Sequence, residues 1–313
     1  MNFIFDQISE RFKLADSIII LIHENPDGDA VGSALAMAHY LKFFDKNVVI
    51  FCAQKPANYF FRLPGIEMIQ SDMSVLNQYY NVALFLDCSD RGRPGVRDLN
   101  VGEIINIDHH ISNTRYGKIN FVDSKASSTS EIINRFLTSQ EFKMDKRIAD
   151  CLLAGIMTDT GVFINGATNI ESMAAASKMI KRGTNLNIIF SDFFKNRSLS
   201  ALKLWGEILS RLVVNKKYGI AYTYIKISDY QKFKVTEEEI DGITNFLNVI
   251  VDTKACFVFK IERDEIRVSS RSTREGVDLA SLAKIFGGGG HTKAAGFSIN
   301  YQLEELEGKL IVK

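Results

Sequence analysis

Residues 17–23, SIIILIH, form an unbroken apolar run dominated by β-branched isoleucines, and the run ends on a histidine. A continuous run of this kind fits a strand covered on both faces rather than one with a wet side. AVGSALAMAHYLKFF (30–44) then predicts a helix, and further short strands are expected at NVVIFC (47–52), NVALFLD (81–87) and EIINID (103–108). Helical patterns follow at 128–138, 145–157 and 169–181. Strands interleaved with helices predict an α/β fold whose N-terminal domain is built on a mostly parallel sheet with flanking helices.

The polar stretch SDFFKNRSLS (191–200) breaks this rhythm and precedes the amphipathic ALKLWGEILSRL. We therefore expect domains at 1–188 and 213–313, joined by a linker and connecting helix at 189–212; 313 residues exceed the usual size of one domain. The second domain reads as a smaller α/β unit. Its strands are expected at 218–227, in KACFVFKIE, in EIRVSSRS and at 295–299, with a helix over 237–250 and a glycine run at 287–290.

A formal net charge of +1 argues against a long-duplex binder, so a nucleic-acid partner should be short or held in a local pocket. Cys52, Cys88, Cys151 and Cys256 form no C-x-x-C pair and read as small apolar residues in a reducing cytoplasm. The N-terminus lacks the basic and apolar regions of a signal peptide. No stretch of 18 uncharged apolar residues predicts a membrane span.

Open α/β sheets bind ligands beyond the carboxyl ends of their strands. His23, Asp27 and Asp29 follow the first strand, Asp87 ends the strand at 81–87, Asp108, His109 and His110 end the one at 103–108, and Asp159 follows an apolar helix. Taken singly, these are ordinary turn formers, caps or structural histidines. Together they aim acids and imidazoles from four segments at one edge, with Gly28 expected to let the chain bend between Asp27 and Asp29. Clustered carboxylates repel one another unless cations neutralise them. His and Asp donors without thiolate suit Mn2+, Mg2+ or Fe2+, and the supply is enough for two ions roughly 3.5–4 Å apart, an arrangement that hydrolyses phosphoesters.

HENPDGDAVGS, FLDCSD, NIDHHISN and MTDTGVF resemble, in order and spacing, the four motifs of the DHH phosphoesterase superfamily. SSRSTREGVDLASLAKIFGGGGHTKAAGF resembles that family's DHH-associated substrate-binding domain of the first type. The resemblance implies one metal held by His23, Asp27 and Asp87 and another held by Asp29, Asp87, His109 and Asp159, with Asp87 shared. It implies that His110 faces the scissile phosphate and that Asp108 orients the histidines. The two ions would be divalent, with Mn2+ expected and Mg2+ or another ion open.

Gly288, Gly289 and Gly290 lack Cβ, so their N–H groups can approach a phosphate or base, and a helix or turn after the run would favour an anion. Arg271, His291 and Lys293 can add charge-assisted hydrogen bonds; a plain flexible turn is the competing reading. SKASSTSE (124–131) is expected to cap a helix. Within the family, this length and second domain are similar to the branch that degrades short oligoribonucleotides and dephosphorylates pAp. A phosphodiesterase of linear or cyclic di-adenosine nucleotides shares every motif, and a catalytically silent nucleotide-binding protein is the alternative of another class. The substrates implied are short RNA, pAp or dinucleotides, with no membrane partner and homodimerisation left open.

Overall fold

The computed structural model describes residues 2–96, 98–194, 198–240, 242–247, 250, 253–262, 265–272, 274–300, 303–306 and 309–312. It divides into two compact units, Met1–Asn196 and Arg197–Lys313.

In the first unit six strands, β1 (Ser17–Leu21), β2 (Asn47–Phe51), β3 (Ile69–Gln70), β4 (Tyr80–Leu86), β5 (Val101–Asp108) and β6 (Ile119–Val122), form one sheet in the order β3-β2-β1-β4-β5-β6. All neighbouring pairs are parallel. The strand order reverses between β1 and β4, so the crevice of a doubly wound sheet opens at their carboxyl ends. Ile18, Ile20 and Ile22 enter one core cluster, whereas Ile19 and Leu21 enter another. Side chains alternate across a strand, so burial on both faces explains the unbroken apolar run.

The larger cluster takes residues from α1 (Asn2–Leu14), α2 (Gly28–Phe43), α3 (Thr129–Ser139), α4 (Lys146–Asp159), α5 (Ile170–Lys181) and α6 (Leu186–Phe194). The other face is covered by the 3-10 segment Met73–Asn77 and by loop residues such as Leu99 and Tyr116. A Cβ on Gly32 would lie 2.4 Å from the Cys151 carbonyl oxygen, and one on Gly28 would collide with the Thr158 side chain. Gly28 is therefore required by the close approach of α2 to α4, and it belongs to the first turn of α2 rather than to a bend. All four cysteines are buried and free.

α1, α6 and the short edge strand β6 were not expected from the sequence. Where the linker was placed, 189–194 continue α6 and 199–210 form α7 (Leu199–Ser210); 195–197 lie outside the described residues. The second unit carries β7 (Val213–Asn215), β8 (Ile220–Lys226), β9 (Ala255–Ile261), β10 (Ile266–Arg271), β11 (Gly289–His291) and β12 (Ala294–Ile299), in the order β11-β12-β10-β9-β8-β7. Only β8 and β9 run parallel in this sheet.

Helices α8 (Ile227–Phe233), α9 (Ile243–Phe246) and α10 (Leu279–Ile285) accompany the sheet, and β13 (Leu303–Leu306) pairs with β14 (Lys309–Val312). The helix expected over 237–250 is, among the described residues, a 3-10 turn at Glu238–Ile240 followed by α9. Among the described residues no helix is long and apolar enough to cross a membrane.

Candidate metal centre

His23 lies two residues beyond β1 and is buried. Asp27 is the N-cap of α2: its Oδ1 accepts the amides of Asp29 and Ala30, both at 3.0 Å. Asp29 is fully buried in the first turn of α2, where negative charge is favoured, and its carboxylate accepts the amides of Thr129 (2.6 Å) and Ser130 (2.8 Å) at the start of α3. The sequence therefore sends an imidazole and two carboxylates to the sheet edge because a core strand feeds directly into a capped helix.

Asp87 follows β4 with φ 58°, a left-handed conformation that Asp adopts more readily than most residues. The chain just after it is fixed by side-chain donors. The Cys88 carbonyl accepts from Asn106 (3.3 Å), Asn113 (3.1 Å) and Tyr116 (3.0 Å). Asp87 Oδ2 then lies 3.6 Å from His23 Nε2, while Oδ1 lies 3.5 Å from both His109 Nε2 and His110 Nδ1. His109 Nε2 is also 3.2 Å from Asp159 Oδ2 and 3.9 Å from Asp29 Oδ2. Asp159 is the last residue of α4, where a negative charge opposes the helix dipole. An acid there needs another reason, and the imidazole it faces supplies one.

Ligand atoms of His23, Asp27 and Asp87 lie within 4.8 Å of one another, as do those of Asp29, Asp87 and His109, and those of Asp87, Asp108 and His110. Asp108 Oδ1 accepts from His110 Nδ1 at 2.7 Å and from the His109 amide at 2.8 Å, and Oδ2 accepts from Asn113 at 2.6 Å. All eight first-unit residues singled out from the sequence thus meet at one edge. Thr129 and Asn113 were missed as site residues; Thr129 stood in a segment read as a helix cap, which it is, with Ser128 as N-cap.

Burial raises the Asp29 carboxyl well above the usual range, and Asp87 and Asp159 push it further. Burial also opposes ionisation of Asp87, but His23, His110 and His109 outweigh it and hold the group low. Burial disfavours protonated imidazole at His23, His109 and His110, yet the surrounding carboxylates raise all three. Among the described residues no Lys or Arg forms an ion pair with Asp27, Asp29, Asp87 or Asp159. A donor set of carboxylate oxygens and imidazoles without thiolate, and with no Lys or Arg paired to it among the described residues, fits divalent cations.

In the second unit Arg271 on β10 and His291 on β11 both pair with Ala294 of β12, which puts the three side chains on one face in one row. The glycine run follows α10, and among the described residues strands rather than a helix come after it. A Cβ on Gly288 would sit 2.2 Å from the Gly296 carbonyl oxygen, and Gly290 has φ 136°; packing of β11 on β12 already demands glycine at both. Gly289 has open space instead. The Lys293 ammonium reaches the carbonyls of Arg274 and Val277 and braces that loop.

Residues 17–156 match the DHH family, N-terminal domain, and residues 217–310 match the DHHA1 domain. The chain is 30% identical over 309 residues to the bifunctional oligoribonuclease and PAP phosphatase NrnA of Bacillus subtilis, covering 96% of this chain and 95% of that protein. It belongs to the DHH family. The probable bifunctional oligoribonuclease and PAP phosphatase NrnA of Streptococcus mutans is also 30% identical, over 97% of this chain and 96% of its own length. Among solved structures, an exopolyphosphatase-related protein from Bacteroides fragilis aligns with a TM-score of 0.89 and 28% identity, covering 97% of this chain and 93% of that one. The DHH match takes in every site residue of the first unit except Asp159, three positions beyond its end.

Proposed function

We propose that this DHH-family chain is a divalent-metal-dependent phosphoesterase that hydrolyses short oligoribonucleotides to mononucleotides and dephosphorylates pAp to AMP. The observation that carries this reading is the division of Asp87, one oxygen toward His23 and the other toward His109. A single carboxylate shared in this way suits two cations, one held by His23, Asp27 and Asp87, the other by Asp29, Asp87, His109 and Asp159. Mn2+ is the ion we expect. Bound there, such ions supply Lewis-acid polarisation of phosphoryl oxygens and make water acidic enough to give a nucleophile at neutral pH.

The chain's own residues do the rest. The Asp108 contact at Nδ1 orients the His110 ring and stabilises its protonated form, so His110 can stabilise charge on the phosphoryl group or give a proton from Nε2 to the leaving oxygen. Arg271 and His291, in one row of the second sheet, bind the phosphate or base of the nucleotide that is not attacked, with Gly288, Gly289, Gly290 and Lys293 shaping that surface. Near-neutral net charge fits substrates of a few nucleotides better than long strands, whose binding rests on many phosphate contacts.

The substrate range carried by the relatives' names supports the same reading. The test compares kcat/KM for pAp, a dinucleotide RNA, a five-mer and cyclic di-AMP on one preparation, before and after chelation and re-addition of Mn2+. Turnover that persists in chelator overturns the metal requirement, and a preference for cyclic di-AMP overturns the substrate assignment.

A further inference from the structure

Thr129 touches two of the carboxylates at once. Its hydroxyl donates to Asp87 Oδ1 at 3.1 Å, and its amide donates to Asp29 Oδ2 at 2.6 Å. The residue is fully buried at the first position of α3, and the capping task falls to its neighbour, because Ser128 Oγ accepts the Glu131 amide at 3.0 Å. The Thr129 hydroxyl is therefore not consumed by the helix. Fully buried, the Thr129 side chain aims this donor at Asp87.

The direction matters because Asp87 must keep its two oxygens apart in role. Rotation about χ2 of an Asp is soft, and nothing in the side chain itself decides which oxygen faces which imidazole. With Oδ1 held by Thr129, that oxygen stays on the His109 side, 3.5 Å from Nε2, and Oδ2 stays 3.6 Å from His23. Through the same residue the Asp29 carboxylate is gripped by backbone, and Ser130 completes that grip at 2.8 Å.

We propose that Thr129 is a positioning residue that holds the planes of Asp87 and Asp29 in their cation-binding arrangement before any cation arrives. The proposal rests on the reading of this site as a divalent-metal centre. Thr129 needs no contact with substrate. Its contribution belongs to metal affinity first and to turnover only through it, since partners that orient metal ligands are typically worth about 10–100-fold in affinity.

The test is calorimetric titration of the full-length, chelator-treated protein with Mn2+ alone. Thr129→Val keeps shape, amide and helix but removes the hydroxyl donor; it should weaken Mn2+ binding by about tenfold or more. Thr129→Ser, which restores the hydroxyl, should bind close to wild type. Val and wild type binding Mn2+ equally would overturn the proposal. If the Val variant does not fold, Thr129→Ser and Thr129→Ala decide, because both lose the methyl group and differ by the hydroxyl alone; equal affinities in that pair overturn it as well. Wild-type protein that binds no Mn2+ sinks the metal-centre reading itself, and this inference with it. Wild-type binding with indifferent variants sinks only the assignment of Thr129.

Discussion

Asp108 Oδ2 lies 2.6 Å from the carboxamide nitrogen of Asn113. The same nitrogen is 3.1 Å from the Cys88 carbonyl, so Asn113 ties the end of β5 to the residue after Asp87. Asn113→Ala should release Asp108 and with it the His110 ring. We expect kcat on pAp to fall by about 10–100-fold with KM nearly unchanged, read by steady-state kinetics on a variant whose circular dichroism matches wild type. A loss carried by KM would instead make Asn113 a substrate contact.

Because Asp87 faces both donor groups, its removal should cost more than removal of any other ligand. Asp87→Ala is expected to lower kcat by orders of magnitude while folding persists. Adding Mn2+ to chelator-treated wild type should raise Tm, since a ligand that binds only the folded state stabilises it, and the rise should vanish in the variant. Near-wild-type turnover in Asp87→Ala would show that the carboxylate is not shared.

Arg271 and His291 flank Ala294 across three adjacent strands. Arg271→Ala should raise KM with little change in kcat if the row binds the nucleotide that is not attacked. Ala294→Leu should do the same by filling the space between the Arg271 and His291 side chains. An effect confined to kcat in either variant would contradict a binding role.

Arg211 and Asp229 form a two-pronged pair at 2.5 and 3.0 Å, and Asp229 Oδ2 also accepts the Lys226 amide at 2.9 Å. Burial works against the Asp229 carboxylate, but Arg211 and that amide outweigh it and hold its pKa below the usual value. A carboxyl lowered by folding adds stability above its unfolded pKa, near 4, and loses that contribution as pH falls through the folded value. Asp229→Asn should therefore cost about 1.5–3 kcal/mol at pH 7, as expected for a hydrogen bond to a charged group. Urea unfolding at pH 7 and at pH 3 checks this, with the gap between variant and wild type narrowing in acid.

Much of the first unit was legible because its signals are local. SIIILIH announces a strand buried on both faces, and β1, β4 and β5 each end within three residues of the acid or imidazole they deliver. His23, Asp27, Asp29, Asp87, Asp108, His109 and His110 could be named because strand ends in such sheets converge, whatever the details of packing, whereas Asp159, at the end of α4, was named from the MTDTGVF resemblance. The strand β6 escaped notice because INFV is four residues long and half buried at the sheet edge, with no apolar run to mark it. In the second unit α8 and α10 span seven residues each, too short for a helical period to stand out.

The sequence by itself determined the layered α/β fold and which acids and imidazoles gather at the sheet edge, since apolar periodicity and residue chemistry are written one position at a time. Only the tertiary structure decided how those side chains are held. Thr129 reaches Asp29 across 100 positions, and Asn113 reaches Cys88 across 25. Gly28 likewise changed its meaning from a bend to a point of contact with Thr158. Hydrogen bonds and close approaches between distant segments depend on angstrom-scale placement of whole elements, and no local pattern in a chain encodes that placement.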